Sequence, residues 1–270
     1  MLGRKIKKLK NWLQNRHNLQ LFRLRLAEDR QKTALYRAVL ISHELSATGA
    51  PLMLLAAAEA ILADGGSVRV LAYMDGPLRE KFEKLGIPVF YHPGFRDNAR
   101  LLNEFGGDCA YAVANTAVAY PAVSLLKGPR VLWWIHEAQV IEKDYIARFR
   151  QKKFRPDLEQ TLRQAGKLAV VSDYAREIAA KYNPRVEVIH PAVADVAKEQ
   201  GLQPKQPAEK IRFAMLGAVC EIKGQDVLLK AVRLLPAAYR AQAEFHIAGR
   251  RDGAFAEDLA AESGDLPEVV

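Results

Sequence analysis

The sequence predicts an α/β protein built on parallel sheet. Three observations carry this. Short apolar runs of strand type alternate with helical stretches from residue 37 to residue 190. Those runs are apolar on both faces, the pattern of strands covered by helices on each side. The strand–loop–helix pattern of residues 37–62 then recurs at 211–235, beyond a segment that has lost apolar periodicity. A chain of 270 residues has room for one large or two ordinary domains with a buried core.

Composition narrows the class. Half of the residues are apolar and 26% are charged, as in ordinary globular proteins. No apolar run approaches the roughly 20 residues of a membrane span, and no secretory pattern follows the basic start. Cys109 and Cys220 have no ligand-type spacing and read as free thiols of a reducing compartment, so a cytoplasmic setting is expected. Residues 1–37 hold eleven Lys/Arg against Glu28 and Asp29, which accounts for the whole net charge of +9. The remaining body is neutral, and this argues against a nucleic-acid-binding core.

Residues 1–36 therefore read as a basic leader. Leu2, Ile6, Leu9 and Leu13 fall at helical spacing, with Trp12 beside them and Arg4, Lys5, Lys7, Lys8 and Lys10 between. A basic amphipathic helix of this kind can lie on an anionic membrane surface, where each basic residue contributes about 1 kcal/mol. Membrane contact is assigned to residues 1–26, at the inner face. A solvated tail, a partner-binding helix and a nucleic-acid arm are the other readings.

Residues 37–190 read as the first domain. Ala38–Ser42 is a strand, His43–Pro51 a polar loop, and Leu52–Leu62 an Ala/Leu-rich helix whose first turn suits Pro51. Ser67–Tyr73 is the second strand. Asp75-Gly76-Pro77 turns the chain into a helix from Leu78 to Leu85, with Asp75 as the cap candidate. Ile87–Tyr91 is a strand, Asp97–Phe105 a helix ended by Gly106-Gly107, and Cys109–Ala114 another strand. A helix to Leu126 and the strand Arg130–Ile135 follow. Ile141–Arg150 and Asp157–Ala165 are amphipathic helical stretches. Lys167–Val171 and Arg185–Ile189 are strands around the helix Tyr174–Tyr182, which Ser172-Asp173 introduces. Residues 191–210 read as a linker. Residues 211–270 open a second domain with strand Ile211–Leu216, loop Gly217–Gly224, helix Gln225–Leu235, strand Ala243–Ala248 and a helical patch at Phe255–Ala261.

In open parallel sheets, ligands bind beyond the carboxyl ends of the strands. His43, Asn115 and His136 each stand at such an end on three different strands, with Glu137 directly after His136. The polar loop before the first helix has Thr48 and Gly49, where free backbone N–H groups face outward and glycine permits close approach. In the second domain, Lys223 and Gly224 stand just before a helix start.

The segment LGAVCEIKGQDVLLKAVRLLP, with the preceding VVSDYAREIAAKY and VEVIHPAV, resembles the retaining glycosyltransferases of family four, which have the GT-B fold. SATGAPLMLLAAAEAIL is similar to that family's first-domain loop and WWIHE to its His-bearing strand end, so the resemblance covers residues 37–270. It implies two Rossmann-like domains facing across a cleft and a nucleotide-sugar donor held mainly by the second. It also implies a glycan or lipid-linked acceptor, retention of configuration and no metal. His136 would contact the transferred sugar. Lys223, with Gly217 and Gly224 around it, would meet the donor diphosphate, and Thr48, Gly49, Asn115 and Glu137 would line the donor or acceptor.

The sequence departs from the family pattern at three places. Ala218 stands where the family often has Arg, Thr48-Gly49 replaces paired glycines, and the family's carboxylate pair is missing. Residues 211–270 supply only two convincing strands, so an unfinished second domain with an open sheet edge is expected, too little for turnover. A non-catalytic GT-B-like binding or scaffolding domain is the alternative. A dinucleotide oxidoreductase is disfavoured, because neither glycine loop is GxGxxG followed by an acidic residue about 20 positions on.

Overall fold

The computed structural model describes residues 2–141, 158–192, 201 and 209–270. The chain divides into two compact units, Met1–Val193 and Ala194–Val270.

In the first unit, seven strands form one parallel sheet. They are β1 (Arg37–Ser42), β2 (Ser67–Ala72), β3 (Val89–Tyr91), β4 (Tyr111–Asn115), β5 (Arg130–Ile135), β6 (Lys167–Val170) and β7 (Val186–Val188). Their order is β3-β2-β1-β4-β5-β6-β7. Ala38–Ser42 of β1 are buried because helices cover both faces. On one face α2 (Gly49–Ala63) places Leu54 and Ala58 against Leu40 and Val70. On the other, α4 (Ala99–Gly106) packs Leu102 and Phe105 near Val39, Ile41 and Leu71. A third cluster gathers round Trp133, with Leu158 and Leu162 of α6 (Leu158–Gln164) and Ile178 of α7 (Asp173–Ala179). The strand order reverses between β1 and β4, where the connections leave in opposite directions and open a crevice at the carboxyl ends.

Local chemistry sets several boundaries. Ser172 caps α7, accepting from the Ala175 N–H at 3.2 Å. Asp75 does not cap the short α3 (Arg79–Lys84), which starts after Leu78. Its carboxylate instead accepts from the Gly76 N–H at 2.8 Å and pairs with Arg79. The helix expected to Leu126 opens with a 3-10 turn, Ala117–Ala119, before α5 (Tyr120–Leu125). The stretch expected to be helical over 142–150, and most of the linker 191–210, lie outside the described residues.

The leader expected over residues 1–36 is not separate from the domain. It forms α1 (Leu2–Arg30), whose second half packs on the sheet through buried Phe22 and Leu26. The decisive partner is Arg69, wholly buried in the middle of β2. A buried guanidinium must be paired to be tolerated. Its Nε and Nη2 donate to Asp29 Oδ2 at 3.0 and 2.8 Å, and Nη1 donates to Asp108 Oδ1 at 2.7 Å. Phe22 and Leu26 are thus spent on the core, which removes their stretch from the membrane contact expected for residues 1–26. Among the described residues, no helix is long and apolar enough to cross a membrane.

The second unit holds a parallel pair, β8 (Ile211–Leu216) and β9 (Ala243–Ala248). The helices are α8 (Gln225–Leu234), α9 (Ala237–Arg240) and α10 (Ala254–Glu262). Leu229, Val232, Phe245, Ile247 and Leu259 form its core. Residues 268–270 add along β9, with the Phe245 N–H donating to the Glu268 carbonyl at 2.7 Å. On β8, Ile211, Phe213 and Leu216 are 64%, 51% and 78% exposed, so this strand is a largely uncovered apolar surface.

Candidate functional site

The crevice of the first unit is built from three strand ends. Asn115 closes β4 and is fully buried. Its Nδ2 donates to the Ala50 carbonyl in the first turn of α2, at 2.9 Å. That bond fixes the amide orientation and turns Oδ1 toward His136 Nε2, 2.8 Å away. An amide oxygen only accepts, so Nε2 carries the hydrogen and Nδ1 keeps a lone pair. Burial lowers the His136 pKa to about 4, and the imidazole is neutral at physiological pH. The ring lies 4.7 Å from that of Trp134, on the same face of β5.

Beside this pair, the Ala117 N–H donates to Glu137 Oε2 at 3.3 Å. Burial raises the Glu137 pKa, and that hydrogen bond opposes the shift. Thr116 has φ 72° and ψ 164°, a conformation that β-branched residues rarely adopt. It is held from both sides: the Thr116 N–H donates to the Trp134 carbonyl, and Trp133 Nε1 donates to the Thr116 carbonyl, both at 2.8 Å. Strain of this kind persists where surrounding structure over-determines it, and it clusters at functional sites. Thr116 Oγ1 lies 3.3 Å from His43 Nδ1. The sequence signals the strand end here but not the strain, because threonine carries no positive-φ signature.

Thr48 is the last residue before α2; its hydroxyl lies 2.8 Å from that of Ser46. At Gly49 a Cβ would meet nothing within 4 Å, so the protein itself does not demand glycine there. Gly76 is the glycine that packing requires in this region, since a Cβ would overlap the Leu45 carbonyl.

The second unit presents a different site. Gly217 follows β8 at φ 145°, and Gly224 stands before α8 in the left-handed conformation at φ 73°. Between them, Glu221–Lys223 make one 3-10 turn. The Lys223 side chain is exposed and has no hydrogen-bond or ion-pair partner among the described residues, while its backbone N–H donates to the Cys220 carbonyl at 2.9 Å. Its Cε lies 3.8 Å from where a Gly217 Cβ would stand, so the ammonium stem crosses the glycine face. Gln225, fully buried, clamps the loop: Nε2 donates to the Ala218 carbonyl at 3.0 Å and Oε1 accepts from the Cys220 N–H at 3.4 Å.

Gly249, absent from the sequence-derived set, is needed because its Cβ would overlap the Gly217 carbonyl. The same contact brings Arg250 and Arg251 beside the loop, with the Val219 N–H donating to the Arg250 carbonyl at 2.9 Å. A strand-end Gly-Arg-Arg in register with the first loop was the available signal. Among the described residues, no group of three or more His, Cys, Asp or Glu is placed to hold a metal ion.

The structure thus gathers Asn115, His136 and Glu137 with the start of α2 in the first unit, and Gly217, Lys223 and Gly224 in the second. Known structures share this α/β GT-B architecture. Anabaena Alr3699/HepE in complex with UDP and glucose aligns at TM-score 0.59 and 15% identity, over 87% of this chain and 68% of its own. A glycosyltransferase from Rickettsia africae ESF-5 aligns at 0.56 and 11%, over 87% and 68%. An alpha-glucosyltransferase in complex with UDP and a 13-mer DNA containing a HMU base aligns at 0.54 and 15%, over 86% and 61%. Comparison with curated proteins returns no match. Residues 36–194, more than half of the chain, match the sequence profile of glycosyl-transferase family 4, and the protein belongs to that family.

Proposed function

We propose that this chain takes part in transfer of a sugar from a nucleoside-diphosphate donor to a glycan or lipid-linked acceptor, with retention of configuration, in the cytoplasm. The observation that carries the reading is the loop Gly217–Gly224, where an exposed, unpartnered ammonium stands at a helix start. A diphosphate there meets the Lys223 ammonium and the positive end of the α8 dipole together. A charge-assisted hydrogen bond contributes about 1.5–3 kcal/mol and the helix end roughly 0.3–2 kcal/mol, so Lys223 dominates. As the nucleoside diphosphate departs, the same groups stabilise its growing charge. The positive charge comes from the protein, so the reading calls for no metal. Arg250 and Arg251 are the nearest candidates to make good the family arginine replaced by Ala218.

In the first unit, neutral His136 offers Nδ1 as an acceptor for a sugar hydroxyl. Asn115 then serves by holding His136 rather than by touching substrate, since both ends of its amide are taken. The UDP and UDP-glucose complexes of the Anabaena protein support a donor of that class. The uncovered β8 surface and the two-stranded sheet support a further point: these 270 residues alone turn over little or no donor.

The test is UDP binding followed by chemical-shift perturbation in the chain and in Lys223→Ala. Shifts confined to residues 217–226 and lost in the variant support the reading. Equal binding by both proteins overturns it. A scaffolding role, which Ala218 and the uncovered β8 favour, predicts no UDP binding by either.

A further inference from the structure

The direction of α1 has a consequence for where its basic half lies. Phe22 meets Phe90 and Tyr91 at ring distances of 5.5 and 5.2 Å, level with the carboxyl end of β3. Asp29 reaches Arg69, and Arg30 pairs with Asp108, which precedes β4 at its amino end. The helix therefore runs down the sheet from the carboxyl to the amino edge. Among the residues whose side chains are described, Leu19 is the first that packs against the core cluster. At 1.5 Å per residue, the helix before it extends about 25 Å further in the carboxyl direction. That is the edge bearing the His136–Asn115 crevice.

Charge divides α1 at the same place. In the docked half, Arg23 pairs with Glu104, Arg25 with Glu83 and Arg30 with Asp108. Residues 2–17 hold six Lys/Arg and no Asp or Glu, with Leu2, Ile6, Leu9, Trp12 and Leu13 among them.

We propose that residues 2–17 of α1 bind an anionic membrane surface, and that the docking of α1 sets this surface on the crevice side of the first unit's sheet. Like charge repels a second copy of the same helix, and a nucleic-acid backbone makes no use of apolar residues at helical spacing. An anionic bilayer uses both features. An acceptor embedded in that bilayer is then presented to the strand ends. This last consequence rests on the transferase reading, whereas the membrane surface itself does not.

The experiment is vesicle co-sedimentation of the full chain with phosphatidylcholine alone and with added phosphatidylglycerol, at low and high salt. Binding should need the anionic lipid and weaken with salt. Each basic residue is worth about fivefold in partitioning. Replacing Lys5, Lys7, Lys8 and Lys10 together by Gln should lower it by about 600-fold, with the melting temperature unchanged. Trp133 and Trp134 are buried, so a vesicle-induced fluorescence blue shift that disappears in Trp12→Phe reports the helix.

Orientation is read with Cys220→Ser as background and a fluorophore at Met74→Cys, beyond the carboxyl end of β2, or at Leu35→Cys, before β1. A headgroup-borne quencher should dim the label at position 74 more than the one at 35. Binding to neutral vesicles alone, no binding at all, or an oligonucleotide bound in place of vesicles overturns the membrane surface. Stronger quenching at position 35 overturns its placement.

Discussion

The two strand–loop–helix segments, β1 to α2 and β8 to α8, begin from the same local grammar and end as different kinds of site. Around the first, neighbouring strands bring buried Asn115 and Thr116 and half-buried His136 and Glu137 to the loop, from the ends of β4 and β5. Burial keeps His136 neutral and raises the Glu137 pKa. Around the second, two strands surround the loop, and the charged group stands in solvent. The difference teaches that one motif yields a hydrogen-bonding site when the sheet encloses it and an electrostatic one when it stays open. A sugar hydroxyl suits the former and a diphosphate the latter.

Substitutions should separate the two. Asn115→Ala removes the acceptor of the His136 Nε2–H and a donor to the Ala50 carbonyl, with an expected loss of about 2 kcal/mol of stability, read by denaturant unfolding. A loss below about 1 kcal/mol would mean that the pair is solvated. Gly249→Ala, forced against the Gly217 carbonyl, should cost about 3 kcal/mol and abolish UDP binding. Retained binding would break the link between the two loops of the second unit.

Lys223→Ala should behave differently. It leaves the melting temperature unchanged while weakening UDP binding on the order of 10- to 100-fold, and Lys223→Arg should recover part of that. A stability loss instead of a binding loss would make the two sites alike.

Titration gives a smaller contrast. His136 should titrate near pH 4 by NMR. Between about 6.5 and 4 the unfolded chain takes up a proton that the folded chain refuses, so stability falls as pH drops through that window. A His136 midpoint near 6.5 would show that the crevice is wet. The smallest effect belongs to Gly49→Ala, where a Cβ meets open space. Stability should change by less than about 1 kcal/mol, while any ligand packed against that position would bind more weakly.

Much of this was legible in advance. The strands Arg130–Ile135, Ile211–Leu216 and Ala243–Ala248 have the bounds that their short, mostly apolar runs indicate. His43, Asn115 and His136 were found by standing at strand ends, which is a matter of sequence position. The hydrogen-bond partners of Asn115 were not legible in the same way. One is a carbonyl 65 residues away, which periodicity does not reveal. Thr116, Gln225 and Gly249 escaped notice for a similar reason, since each acts through a backbone that only the fold brings near.

Sequence alone determined the alternation of elements, the neutrality of the body, the concentration of charge before residue 37 and the position of Lys223 ahead of a helix. These are properties of neighbouring residues, set by propensity, patterning and charge. Tertiary structure alone decided that the second half of α1 is part of the sheet domain, through an ion pair spanning 40 residues between Asp29 and Arg69. It also decided which nitrogen of His136 carries its hydrogen. A buried polar group must take its partner from wherever the chain returns, and that choice is made in space rather than along the sequence.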